Sequence, residues 1–168
     1  REAGYNGERI VLMMATDQPP AKAQAEVTAD LLGRIGVNVD VQAMDWGTMT
    51  SRRASMKPPS EGGWHIFHTW AAGVGSSSPA TYPHIYCTGK SAWFGWPTDE
   101  QVQADIAVWY EAADPAAEKA AAAKLNASLV AEVPFIPTGF FLNYQATRTS
   151  LSGVVNAPVP IMWDVRKT

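Results

Sequence analysis

The sequence predicts an α/β fold in which a mixed sheet is flanked by helices. Near the start of the chain, a buried apolar run, a helical segment and an alternating run follow one another, and two helical segments fill much of the second half. A strand, a helix and a strand in this order form a crossover unit whose helix packs on a sheet. With 168 residues, of which 46% are hydrophobic, the chain suffices for one core. We therefore expect residues 1–168 to form a single domain.

The crossover unit is predicted from hydrophobic periodicity. Residues 9–16 form an apolar run that is typical of a buried strand, and residues 37–44 alternate valines with polar residues, as a strand with one solvated face does. The segment between them predicts a helix over 20–35, because Pro20 lies near its first turn and Gly36 follows its end.

The side chains of this helix and the segments after it complete the first half. Val27, Leu31 and Ile35 lie on one stripe, which we expect to pack on the sheet. Residues 45–55 then predict a short helix, and residues 64–70, WHIFHTW, predict a third strand.

Two further helices are predicted in the second half of the chain. Thr98 and Gln101 have the spacing of a capping box, which indicates a helix start. Asp114 is a typical N-cap, and Pro115 is suited to the first helical position after it. The two helices are expected to pack as a pair.

Residues 131–141, AEVPFIPTGFF, end the second of these helices. Pro134 and Pro137 lack an amide hydrogen, and their rings clash with the preceding turn of a helix. The helix must therefore stop near Val133. Because the residues that follow are strongly apolar, we expect a strand over 135–144 that joins the sheet.

Composition argues against several classes of function. The net charge of −3 and the sequence pI near 5.6 provide no basic face for nucleic acid. No apolar run approaches the roughly 20 residues that span a bilayer. Cys87 is the single cysteine and has no partner for an internal disulfide. The chain starts at REAGY without Met or a signal peptide, so we expect a fragment of a longer protein.

Three motifs favour other kinds of site only weakly. The stretch GVGSSS resembles a dinucleotide fingerprint, but Ser78 replaces its third glycine. His65 and His68 are three apart on a predicted strand, so their side chains point to opposite faces and cannot share a metal ion. Arg52 and Arg53 are anion-binding candidates, although solvated positions are more typical of such a helix. We expect no cofactor and no metal.

Two other functional classes remain as alternatives. A small hydrolase would use Ser76 as nucleophile with His68 or His84 as base, although no G-x-S-x-G motif surrounds the serine. A protein-interaction domain would present some of the seven tryptophans as a surface patch.

The order of four segments resembles one protein family. LLGRIGVNVDVQAMDW, GGWHIFHTWAAG, ADPAAEKAAAAKLNASLVAEVPFIP and LSGV follow one another as in the C-terminal lobe of the family 5 extracellular solute-binding proteins, the dipeptide-, oligopeptide- and nickel-binding components of ABC importers. The resemblance extends from about Glu8 to Val165. It implies one lobe of a type II periplasmic-binding-protein-like fold.

The resemblance also implies a function for the longer protein. This chain would be one jaw of a two-lobed, monomeric receptor that closes on a small solute or peptide and delivers it to a membrane permease. The receptor would be periplasmic, with its signal peptide outside this sequence, and it would not be an enzyme.

A set of ligand-binding residues follows from the resemblance. In peptide-binding members, a strand that ends in Gly-Trp opens a loop into the cleft, and here that strand ends at Trp70. The loop has glycines, which allow a close backbone approach, and serines, which offer hydroxyls. The expected ligand-binding residues are Asp17, His68, Trp70, Ala71, Gly73 and Ser76.

The chain departs from the dipeptide-binding members at both charge anchors. Gly73 stands where those members have the Asp that holds the ligand's ammonium group, and Ala15 stands where they have the Arg for its carboxylate. A buried ligand charge without a partner is costly. We therefore do not expect recognition of a free dipeptide in that manner. The family disulfide is also absent, because Cys87 has no second cysteine.

Overall fold

The computed structural model describes residues 2, 4–142 and 144–168 of the chain. They form two compact units, the first ending at Trp70 and the second beginning at Ala71. The helices and strands of the first unit are β1 (Ile10–Ala15), α1 (Pro19–Arg34), β2 (Val39–Met44), α2 (Trp46–Arg52) and β3 (Ile66–Phe67). Those of the second unit are α3 (Glu100–Tyr110), α4 (Pro115–Glu132), β4 (Leu151–Ser152) and β5 (Arg166–Lys167).

The first unit is built on a parallel sheet with strand order β2-β1-β3. In the central strand, Leu12 is level with Val41 of β2 and with Ile66 of β3. Because β1 has a neighbour on each side, Val11, Leu12 and Met13 are fully buried. The predicted crossover unit and the α/β class are confirmed. Antiparallel pairing occurs outside this sheet, in the β4-β5 pair and in an isolated bridge between Thr88 and Thr98.

The helix α1 has the predicted extent, but it does not pack on the predicted side chains. Ala21 and Ala25 are its buried residues, whereas Val27, Leu31 and Ile35 are more than half exposed. Small alanine side chains allow a helix backbone to lie close to the sheet, and in this unit they provide the contact. The predicted stripe was therefore wrong for the packing within this chain.

The third strand is much shorter than the predicted segment 64–70. The ring Nδ1 of His65 accepts a hydrogen bond from the backbone N–H of Val11 at 2.9 Å, so a side chain takes a position that a strand backbone would occupy. Trp64 and His65 lie outside β3, so the alternation of faces expected over 64–70 does not extend to them. The rings of Trp64 and Phe67 lie 4.9 Å apart and pack on the same core, although alternation places them on opposite faces.

The second unit has its core between the two long helices and the loop before them. Its buried apolar residues are Ile85, Cys87, Val102, Ile106 and Leu125. The predicted cap of α4 is confirmed, since Asp114 accepts a hydrogen bond from the N–H of Ala117 at 2.8 Å.

The cap of α3 differs from the sequence prediction by one residue. The carboxylate of Asp99 accepts a hydrogen bond from the N–H of Val102 at 2.6 Å, so Asp99 and not Thr98 is the N-cap. Aspartate is among the strongest N-cap residues, and its carboxylate takes the place that the capping box gave to the hydroxyl of Thr98.

The strand expected over 135–144 is not formed by the described residues of that segment, from which Asn143 is excluded. The helix α4 ends as predicted, with Val133 in the left-handed region at φ 53°. After it, Phe135 packs against the helix core, but Ile136, Phe140 and Leu142 are largely exposed. Prolines 134 and 137 have no N–H for a strand ladder, and no described strand pairs with this segment.

Among the helices of the described residues, none has both the length and the apolar character needed to cross a membrane.

Candidate ligand-binding surface

The carboxyl ends of the three parallel strands meet at one edge of the first unit. Asp17 lies two residues beyond β1, Trp46 two residues beyond β2, and Trp70 three residues beyond β3. In open α/β sheets, ligands bind in the crevice outside the carboxyl ends of the strands. This edge is therefore the first place to look for a site in the unit.

Asp17 joins the ends of β1 and β2. Its Oδ1 accepts a hydrogen bond from the backbone N–H of Trp46 at 2.8 Å. Directly before it, the N–H of Thr16 donates to the carbonyl of Met44 at 2.8 Å, and the Thr16 hydroxyl donates to the same carbonyl at 3.2 Å. The sequence-predicted Asp17 therefore fixes the position of Trp46.

Two indole rings stack at this edge. The ring centroids of Trp46 and Trp70 are 5.0 Å apart, and their planes differ by 27°, a geometry in the favourable range for aromatic pairs. The guanidinium carbon of Arg53 lies 5.8 Å from the Trp46 ring centroid, within cation–π distance. Trp70 remains 39% exposed, so the stack presents an aromatic surface to solvent.

The helix α2 begins beside this stack and is capped by its own aspartate. The Asp45 carboxylate accepts hydrogen bonds from the Thr48 hydroxyl at 2.6 Å and from the Thr48 N–H at 2.9 Å. Both bonds favour the ionised form and lower the pKa of Asp45. Arg52, at the other end of α2, donates to the carbonyls of Gly62 and Gly63. These two charged side chains are thus used to hold the backbone.

His68 faces the helix α1 instead of the aromatic stack. Its Nε2 is 2.9 Å from the hydroxyl oxygen of Thr28, and its Nδ1 is buried without a hydrogen-bond partner among the described residues. Burial lowers the pKa of His68 below its usual value. The imidazole is therefore neutral at pH 7, and its contact with Thr28 connects the end of β3 to α1.

The other three predicted residues, Ala71, Gly73 and Ser76, lie in the second unit. Residues Gly73–Ser76 form one 3-10 turn, and the Ser76 hydroxyl donates to the carbonyl of Gly73 at 3.3 Å. A side chain added at Gly73 or Gly75 would meet open space. The segment thus has room for an approaching group, but its backbone conformation does not itself require glycine.

The structure gives no support to the catalytic groups considered from sequence. Ser76 donates its hydroxyl proton to a carbonyl, which cannot act as a general base. Cys87 is buried, and desolvation raises the pKa of its thiol, so it is not an activated nucleophile. Among the described residues, no three His, Cys, Asp or Glu side chains are grouped as metal ligands would be.

The second unit also has a shallow surface pocket of about 310 Å³. Its aromatic lining consists of Tyr86, Trp93 and Phe94. The Tyr86 hydroxyl is 2.9 Å from that of Tyr110, and this hydrogen bond is the main reason that the pKa of Tyr86 rises to about 12. Tyr86 is therefore a neutral hydrogen-bonding group at physiological pH.

We call the surface formed by Asp17, Trp46 and Trp70 the strand-end surface. The sequence analysis predicted two of these residues and missed Trp46, which contacts both of the others. Trp46 itself was taken only as the start of a helix. The available signal was its position, since it follows β2 as closely as Asp17 follows β1.

Comparison with known proteins gives a consistent result. No protein-family model matches the chain. Over 167 residues, or 99% of its length, the chain is 33% identical to a probable peptide ABC transporter periplasmic-binding protein of Sinorhizobium fredii. The fold is similar to a dipeptide-binding protein from Pseudoalteromonas sp. SM9913, crystallised in complex with Met-Leu, with a TM-score of 0.78, 19% identity and 99% of the chain covered.

The chain corresponds to only a part of each of these proteins. It spans 32% of the Sinorhizobium protein and 34% of the Pseudoalteromonas protein chain. The resemblance to a lobe of a binding protein that the sequence indicated is thereby confirmed, as is the lobe-type fold.

Proposed function

We propose that this chain, similar along its length to about a third of a periplasmic peptide-binding protein, is one lobe of the solute-binding component of an ABC importer. The lobe contributes one wall of a cleft, and the rest of the receptor contributes the other. The solute is a peptide or a similar small molecule. The observation that carries the proposal is 33% identity over 167 residues, together with a fold match at a TM-score of 0.78.

The strand-end surface supports this function. Binding in a cleft depends on a concave surface of apolar side chains with a few fixed polar groups. Asp17, Trp46 and Trp70 supply this combination, because one carboxylate fixes the backbone beneath two stacked rings. Within the first unit we give His68 a supporting role. Ala71, Gly73 and Ser76, which lie in the second unit, stay candidate contacts on the strength of the family resemblance alone.

The receptor acts by binding and release, not by catalysis. The Ser76 hydroxyl donates to a backbone carbonyl, and burial raises the pKa of the Cys87 thiol. A transport receptor needs only reversible closure on its solute. We further propose that the receptor is monomeric, works outside the cytoplasm, and passes its solute to a membrane permease. The similarity to a periplasmic protein of an ABC transporter supports the location and the transfer to a permease.

A thermal-shift screen tests the function. The intact gene product that contains this sequence would be heated with tripeptides, free amino acids, sugars and nickel ions in separate wells. A solute present at 100 times its Kd stabilises the folded protein by about 2.7 kcal/mol. This raises Tm by several degrees, because each 1 kcal/mol corresponds to roughly 2–4 °C in a protein of 150–250 residues and to less in a larger one. We expect such a shift with peptides. Stabilisation by nickel or sugars alone would contradict the peptide assignment, and no stabilisation by any solute would contradict the receptor function.

A further inference from the structure

We infer that the stacked pair Trp46 and Trp70 is a recognition surface for a planar apolar group of the solute, such as the ring of an aromatic residue in a peptide. The inference rests on the proposed function and names the chemical class of solute that it serves. It follows from the exposure, the rigidity and the charge of the strand-end surface.

Trp70 contacts Trp46, which packs on the core of the first unit, but Trp70 itself is partly exposed to solvent. Met13 and Met49 are completely buried, whereas Trp70 is 39% exposed. Each ring of the pair already packs against the other, because the two ring centroids lie 5.0 Å apart in a stacked arrangement. A further planar group can extend a stack in the same offset geometry, which aromatic rings prefer.

The pair is held in place before any solute arrives. The Asp17 carboxylate fixes the backbone of Trp46, and the Arg53 guanidinium lies over the Trp46 ring. A surface that is already ordered loses little conformational entropy on binding. Stacking energy is therefore available for affinity instead of being used to order the site.

The charged groups near the pair favour an apolar contact. Asp17 and Asp45 accept hydrogen bonds from backbone N–H groups, and Arg52 donates to two carbonyls. Ala15, at the end of the central strand, is buried and carries no charge. Arg53 is the charged side chain nearest the pair, and its guanidinium lies over the Trp46 ring. Since the other side chains named here are bound to the protein or carry no charge, contact with a ring provides a larger share of the selectivity on this wall.

Two uncharged probes that differ in one side chain test the inference. N-acetyl-phenylalaninamide and N-acetyl-leucinamide would be titrated at millimolar concentration into the ¹⁵N-labelled 168-residue chain, with the indole N–H signals followed by NMR. We expect the phenylalanine probe to shift the Trp46 and Trp70 signals with an apparent Kd about fivefold lower than that of the leucine probe, as about 1 kcal/mol of stacking implies.

Variants of the chain show where the probe binds. Trp70→Leu should remove the preference for the phenylalanine probe, whereas Trp70→Phe should keep most of it. Trp163→Leu, at an exposed tryptophan of the second unit, is the matched control and should change nothing. If Trp70→Leu loses the dispersed NMR spectrum of a folded chain, the two probes are compared on Trp70→Phe. A retained preference for the phenylalanine probe there supports the stacking surface, and equal affinity for the two probes contradicts it.

The outcomes separate this inference from the proposed function. Equal affinity for the two probes, or shifts confined to other tryptophans, would overturn the stacking surface. If the intact protein is stabilised by peptides in the thermal screen but the probes show no ring preference, only the inference fails. If the screen finds no solute while the probes behave as expected, the receptor function fails and the ring-binding surface stands.

Discussion

At the scale of single residues, Asp105 determines how the stability of the helix pair depends on pH. It is 1% exposed, its Oδ1 accepts hydrogen bonds from Gln101 and Lys124 at 2.9 Å, and its Oδ2 accepts one from Ser128 at 2.6 Å. The bond from Ser128, followed by that from Lys124, lowers the pKa of Asp105. Such a group stabilises the fold above its unfolded pKa of about 3.9, and the contribution is lost as the pH falls through the folded value.

We therefore predict that Asp105→Asn lowers the midpoint of urea unfolding at pH 7, and that the difference from the unaltered chain shrinks between about pH 4 and pH 2. The control is Asp164→Asn, which removes an exposed carboxylate and should have little effect at either pH. A difference that stays constant down to pH 2 would show that the charge of Asp105 does not contribute.

Val133 ends α4 in a conformation that valine adopts with difficulty. Its φ of 53° lies in the left-handed region, which costs a residue with a Cβ about 1–2 kcal/mol. Glycine avoids this cost but loses more entropy on folding. We predict that Val133→Gly raises the free energy of unfolding by about 0.5–1 kcal/mol.

The matched control for this prediction lies one turn earlier in α4. Val130 is exposed and helical, so Val130→Gly should lower the free energy of unfolding by roughly 0.5 kcal/mol, the difference between the helix propensities of valine and glycine. Both values can be measured by chemical denaturation. A loss of stability in Val133→Gly would contradict the inference that the backbone of Val133 is strained.

At the scale of elements, α1 shows which face of a helix the sheet selects. The buried side chains are Ala21 and Ala25. We predict that Ala25→Leu destabilises the chain by about 1–3 kcal/mol, because a larger side chain does not fit a packed interface. In contrast, Leu31→Ala should change the free energy of unfolding by less than about 0.5 kcal/mol, since Leu31 is mostly exposed. A larger loss of stability in Leu31→Ala than in Ala25→Leu would indicate instead that the predicted stripe, which contains Leu31, is the buried face of α1.

Residues 136–142 form an exposed segment that is rich in apolar side chains. Phe140 is fully exposed, and Ile136 and Leu142 are nearly so. Exposed apolar patches promote association. We predict that Phe140→Ser leaves the unfolding midpoint unchanged and reduces both the binding of an apolar fluorescent dye and concentration-dependent self-association in sedimentation. The control is Thr147→Ser, a polar change in the same part of the chain. If Phe140→Ser self-associates as strongly as the unaltered chain, this segment does not cause the association.

The extents of the long helices α1 and α4 were more predictable from sequence than their contacts. Proline and glycine at the ends of α1 and α4 fixed their boundaries, because backbone effects of these residues are local. Which face of α1 is buried depends on the shape of the sheet, and periodicity alone pointed to Leu31 instead of Ala25. The apolar composition of 135–144 indicated a strand, but a strand also requires a partner, which a local pattern does not reveal.

In the candidate site, too, contacts between residues distant in sequence were not predictable from local patterns. Trp70 and Asp17 were found through a resemblance to a family, and Asp17 lies there for a reason that no local pattern shows, namely its bond to the backbone of Trp46. Trp46 was missed because it contacts Trp70 across 24 positions of the sequence.

At the scale of the whole molecule, the central claim is that this chain provides one wall of a binding cleft. It spans 32% of its Sinorhizobium relative, and good small-molecule sites bury about 70–90% of the ligand surface. A single wall leaves much of a ligand in water. Since each 1.4 kcal/mol changes affinity about tenfold, losing the contacts of the opposite wall should weaken binding strongly.

Isothermal titration calorimetry of the 168-residue chain and of the intact protein that contains it tests this claim most directly. The ligand would be the peptide that stabilises the intact protein most in the thermal screen. We predict that the isolated chain binds it at least about 100-fold more weakly, which corresponds to a loss of about 2.7 kcal/mol. Equal affinity of the two proteins would contradict the account, because the complete site would then lie within these 168 residues.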